Sequence, residues 1–108
     1  SQDDPIVFRG GARTGALTST WPFATLHLHE EELVLRANFR TLRFSSQDSI
    51  RIRTAFHILF RFPVGIRIEH EKGDYPETVI FHYFRCARLF EQLRKSAFQP
   101  LVEQATSG

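Results

Sequence analysis

The chain contains no methionine, one cysteine (Cys86), one tryptophan (Trp21) and two lysines (Lys72 and Lys95). A lone cysteine rules out an internal disulfide and points to a reducing compartment. No apolar run approaches the roughly 18 residues that a membrane-spanning helix needs. A charged segment followed by an apolar stretch, the mark of a signal peptide, is also missing, so a cytoplasmic protein or a cytoplasmic domain of a longer chain is expected. Without Met, either an initiator was removed before Ser1 or the chain is a piece of a longer one.

Several chemical signatures are absent as well. The glycines Gly10 and Gly11 are not followed by the lysine and hydroxyl of a phosphate-binding loop. Cys86 has no neighbouring base that would make it a nucleophile. No acid–base pair stands out, and Glu30-Glu31-Glu32 has the look of a solvated turn. A non-enzymatic domain without cofactor or small-molecule substrate is therefore expected.

What is present suits a packed core. The 108 residues match one domain, with 42% hydrophobic and 24% charged residues and eleven phenylalanines. The net charge is only +2, although the pI is near 9.1. A nucleic-acid binder usually carries a larger, clustered excess, so none is expected as a partner. Arginine richness also fits the codon bias of a GC-rich genome.

The dominant pattern is alternation. Ile6–Arg9 can extend, and Gly10-Gly11 then marks a bulge or turn. Ala16–Trp21 predicts a strand that Pro22 bends. Ala24, Leu26 and Leu28 alternate with Thr25, His27 and His29. After the glutamate turn, Leu33, Leu35 and Ala37 complete a hairpin. Leu42 and Phe44 flank Arg43 in a further strand. From Ile50 to Phe62 apolar side chains fill nearly every second position, which is long enough to predict a bend near 54–57. Pro63-Val64-Gly65 predicts a turn, Ile66–His70 a strand, Lys72–Glu77 a connection and Thr78–Phe84 the last strand. Then the period changes: Cys86, Leu89, Phe90, Leu93 and Ala97 follow helical spacing, with Phe98 as anchor and Pro100 as stop.

Short antiparallel strands followed by one amphipathic helix resemble the pleckstrin-homology-like superfold, in detail its GRAM-type and small bacterial members. The residues that carry the resemblance are Gly65-Ile66-Arg67-Ile68-Glu69-His70, Tyr75-Pro76-Glu77-Thr78-Val79-Ile80-Phe81 and Leu89-Phe90-Glu91-Gln92-Leu93 with Phe98. The resemblance implies a mainly β fold, a partly open barrel of about seven antiparallel strands capped by the helix. It places a loose segment at 1–9, the domain at 10–98 and a tail at 99–108. Lipid-binding members hold phosphates with basic residues around the first hairpin loop. Here no Lys or Arg lies between Arg13 and Arg36, so that site is not expected.

Two surfaces are candidates for function. Arg51, Arg53 and Arg61 share one strand parity, and Arg36, Arg43 and Arg67 are expected to face outward on neighbouring strands. Such guanidinium groups either pair with glutamates across strands or form an anionic-ligand or membrane-surface site. Phe56, Phe60, Phe62 and Val64 either belong to the core or form a partner contact, including a homodimer edge or a shallow membrane contact. The His27-x-His29 pair has metal-ligand spacing, but no third ligand is evident and no metal is expected.

Overall fold

In the computed structural model the described residues are 5–56, 63–83 and 85–102. Seven strands precede one helix: β1 Ile6–Thr14, β2 Leu17–Leu28, β3 Glu32–Ala37, β4 Arg40–Ser45, β5 Arg51–Phe56, β6 Pro63–Glu69, β7 Val79–His82 and α1 Cys86–Arg94. A short 3-10 turn, Gln99–Leu101, follows. All paired strands run antiparallel in the order β4-β3-β2-β1-β7-β6-β5. The fold is mainly β, a seven-stranded half-barrel with a C-terminal helix.

The inward parity of each strand supplies the core. Phe8, Leu26, Leu33, Leu35, Leu42 and Phe44 come from one half of the sheet, and Ile52, Ile66, Ile68 and Phe81 from the other. The helix closes this core with Cys86, Leu89, Phe90 and Leu93, spaced i, i+3, i+4, i+7 along one face. Phe98, fully buried, extends the seal beyond the helix end. Truncating such a phenylalanine typically costs about 3–5 kcal/mol.

Both outer edges of the sheet are partly covered. At β4 the Arg43 backbone N–H donates to the Tyr75 hydroxyl at 3.0 Å, and the Arg40 guanidinium donates to the Asp74 carbonyl. At β5, Val102 forms a parallel bridge with Ile52. Covering an edge satisfies its backbone and blocks pairing with another chain.

Several boundaries differ from the sequence reading. Residues 6–9 are strand rather than a loose segment, because Ile6–Gly10 pair with Ala24–Leu28. The end of the domain likewise lies past residue 98, since Val102 is buried against β5. Pro63-Val64-Gly65 is not a turn but the start of β6, with Phe56 opposite Pro63 and Ala55 opposite Gly65. Ala97 is exposed beyond the helix, which ends at Arg94. Ala16–Trp21 and Ala24–His29 merge into β2.

β1 joins the two halves of the sheet by pairing with β2 on one side and β7 on the other. Its glycines permit this. A Cβ at Gly10 would overlap the His82 carbonyl oxygen, and one at Gly11 would lie 2.7 Å from the Ser19 carbonyl oxygen. Gly10→Ala should therefore destabilise the fold by about 3 kcal/mol. Gly73→Ala, where a Cβ meets nothing within 4 Å, should change stability little. Urea unfolding of both variants checks this, and equal midpoints would contradict the packing at β1.

Candidate functional site

The β1–β2 ladder does not keep one register. Gly10 opposes Ala24, but Ala12 opposes Ser19, so Thr20-Trp21-Pro22-Phe23 stand opposite Gly11 alone. This bulge is larger than the usual single extra residue, and it lifts the segment out of the sheet. Trp21 is 62% exposed and Phe23 75% exposed. The Arg9 guanidinium donates to the Pro22 carbonyl at 3.4 Å, bracing the bulge from β1.

A second projection lies beside it. β3 and β4 are joined by only Asn38 and Phe39, and Ala37 pairs with Arg40. Both loop residues have positive φ, 55° and 63°. A two-residue hairpin loop of this kind favours glycine at its second position. Phe39 instead holds a left-handed conformation with its ring fully exposed. Left-handed geometry costs a Cβ-bearing residue about 1–2 kcal/mol, more readily tolerated by Asn than by a bulky ring. The Asn38 amide helps impose it: its nitrogen donates to the Thr14 hydroxyl at 2.8 Å, while its oxygen accepts from the Ser19 hydroxyl.

Between bulge and turn lies an open groove of about 650 Å³. Phe23 and Phe39 stand at its walls with Arg36 and Arg40, and its hydroxyls come from Thr18, Ser19, Thr20, Thr25 and Thr41. The groove exists because β3 pairs with β2 only over Thr25–Leu28. Leu17–Ser19 and Ala24 thus pair with β1 on one side and have no β3 partner on the other.

The arginines expected to form one ladder divide into two groups. Arg53 opposes Arg67, which opposes Ile80, which opposes Arg13. This places Arg53, Arg67 and Arg13 in one outward row across β5, β6, β7 and β1. Arg51 faces Glu69, and Arg53 forms an ion pair with Glu69 at 3.3 Å. Arg36 and Arg43 lie on β3 and β4, separated from that row by β2. Arg43 pairs with Glu32 at 3.3 Å. Arg61 lies outside the described residues.

Of the expected partner contact, Phe60 and Phe62 also lie outside the described residues. Phe56 belongs to β5, and Val64 is half-buried in β6. The aromatic groove is a different surface, and the sequence reading missed it. A signal was available in Asn38-Phe39, a two-residue gap between alternating runs, and in the proline beside Trp21.

His27 and His29 stack at 6.4 Å between ring centroids, with His27 3.2 Å from the Thr25 hydroxyl. Among the described residues no group of three metal ligands forms. Burial pushes the Cys86 thiol up, and its sulfur donates to the Tyr83 carbonyl at 2.9 Å. His82 occupies an outward position between Gly65 and Gly11. Burial, then the Arg13 charge, holds its pKa below 6.5. His27 is lowered likewise, by burial and then by Arg36, His29 and Arg9.

For both histidines the unfolded chain binds protons more readily than the folded one. Their contribution to stability is therefore complete above 6.5, the unfolded value, and is lost as pH falls through the lowered folded values. Stability should decline between about pH 7 and pH 5, and the slope should flatten in a His27→Gln, His82→Gln variant. Urea midpoints across that range provide the check; an unchanged slope would contradict it.

Among the described residues no helix is long and apolar enough to cross a membrane. No protein-family model, curated protein or solved structure matches this chain.

Proposed function

We propose that this chain is a non-enzymatic interaction domain of pleckstrin-homology-like architecture that docks another protein at the groove between the β2 bulge and the β3–β4 turn. The observation that carries this reading is Phe39, a fully exposed ring on a backbone with φ 63°. Neither feature benefits the isolated domain: the ring buries nothing, and glycine would relieve the turn. Strain and exposed aromatic surface together are characteristic of contact sites. Trp21 and Phe23, raised by the neighbouring bulge, add to that surface. The strand order, with β1 at its centre and the helix last, supports the architectural part of the reading.

A second reading, an anionic-ligand or membrane-surface module, draws on the row of Arg53, Arg67 and Arg13. Like charges opposed across strands are unfavourable, and an anion would relieve them. The groove is preferred because it combines exposed apolar surface with backbone strain, and the row has neither. The covered edges of β4 and β5 also weigh against strand-edge homodimers, leaving the groove as the contact for a second copy or another protein.

Phe39→Gly separates stability from function. It should raise stability by about 1 kcal/mol, because glycine adopts this turn without strain. The same variant should lose partner capture. A photo-crosslinking phenylalanine analogue at position 39 or 23 should give protein crosslinks that the same analogue at Arg88, on the exposed helix face, does not. Equal crosslinking at all three positions would contradict the groove as the docking site.

A further inference from the structure

We infer that the occupant of this groove is an extended, acidic segment of a partner protein carrying an aromatic or aliphatic side chain. The inference rests on the docking reading above and adds the chemistry of the partner.

The extended form follows from the way the sheet splits. β2 continues to Leu17 after β3 has left it at the Thr25–Arg36 pair. Thr18, Ser19, Thr20, Phe23 and Thr25 therefore form a strand wall, facing the turn that carries Phe39. An extended chain laid between these walls runs beside the part of β2 that has no β3 partner. Recognition of this type takes affinity from main-chain hydrogen bonds and specificity from alternate side chains. A helix about 10–12 Å across would instead span the walls and leave that backbone unused.

The acidic character follows from the charges. The groove lining holds Arg36 and Arg40 and no carboxylate. Arg36, exposed near the end of β3 and next to the turn, makes no hydrogen bond or ion pair among the described residues. Arg9 and Arg36 flank Thr25 from the two neighbouring strands, and the Arg9 guanidinium is turned to the Pro22 carbonyl. The carboxylate nearest along β3, Glu32, is already paired with Arg43. Guanidinium groups with free donors match carboxylates in paired hydrogen bonds. Phe23 and Phe39 supply apolar walls for one large side chain between the acidic ones, and the surrounding hydroxyls are suited to polar backbone.

A random-peptide library selected in parallel on the intact chain and on Phe39→Gly tests this. Peptides retained by the first and lost by the second should be rich in Asp and Glu around an apolar residue. Their affinity should fall about tenfold in Arg36→Ala, the worth of a charge-assisted hydrogen bond. It should also weaken as salt rises. Circular dichroism of Arg36→Ala should match the parent chain, since the side chain is exposed.

If Phe39-dependent peptides are neutral or basic, or bind Arg36→Ala equally well, the acidic partner is overturned while the docking groove stands. If no peptide depends on Phe39, the groove itself fails. Vesicles containing phosphatidylserine form the third arm. Binding to them through Phe39, with no selected peptide, would replace the protein segment by a lipid surface and overturn the inference.

Discussion

The structure depends on how closely three strands approach around β1. Gly10 lies against the His82 carbonyl on β7, and Gly11 against the Ser19 carbonyl on β2. Any side chain at these positions would push the neighbours away and separate the two halves of the half-barrel. The same close approach accompanies the register change in β2. With Gly10 opposite Ala24 and Ala12 opposite Ser19, four residues face Gly11 alone, and they include Trp21 and Phe23. The constraint that unites the core therefore also produces one wall of the groove.

The other wall arises from a local conflict. Ala37 and Arg40 are paired, leaving Asn38 and Phe39 to make the reversal in left-handed geometry. Asn38 is held by Thr14 and Ser19, at the end of β1 and near the start of β2. The turn is thereby fixed against the strands that carry the bulge. A strained turn held by two side-chain hydrogen bonds beside a bulge braced from β1 is a partly preorganised surface, and preorganisation reduces what a partner loses on binding. The β6–β7 connection contributes from the far side through Asp74 and Tyr75, which bond to Arg40 and Arg43.

Much of the architecture was legible because it is written in local periods. Leu26, Leu28, Leu33 and Leu35 alternate as one buried face, and Cys86, Leu89, Phe90 and Leu93 mark the helix stripe. The Gly10-Gly11 bulge was also legible, as glycines inside an alternating run. What could not be read was its partner, because register is a relation between distant segments. Trp21-Pro22-Phe23 looks the same locally whether it ends a strand or loops out of one. Pro63-Val64-Gly65 misled for a related reason: proline and glycine suggest a turn, yet Gly65 serves close packing against Phe81 and His82. Phe39 was hidden because aromatic residues rarely occupy such turns. Arg51 and Arg53 on β5 and Arg67 on β6 are exposed, each alternating with a buried isoleucine. Their company across the sheet was not readable, since Arg13 joins them only through β7.

The account stands or falls on the register jump between β1 and β2. Cross-strand nuclear Overhauser effects in the isotopically labelled chain measure it directly. The account predicts contacts between Gly10 and Ala24 and between Ala12 and Ser19, with none across the ladder from Ala12 to Pro22. A regular ladder, with Ala12 opposite Pro22, would contradict it, for then neither the bulge nor the groove beside it would exist.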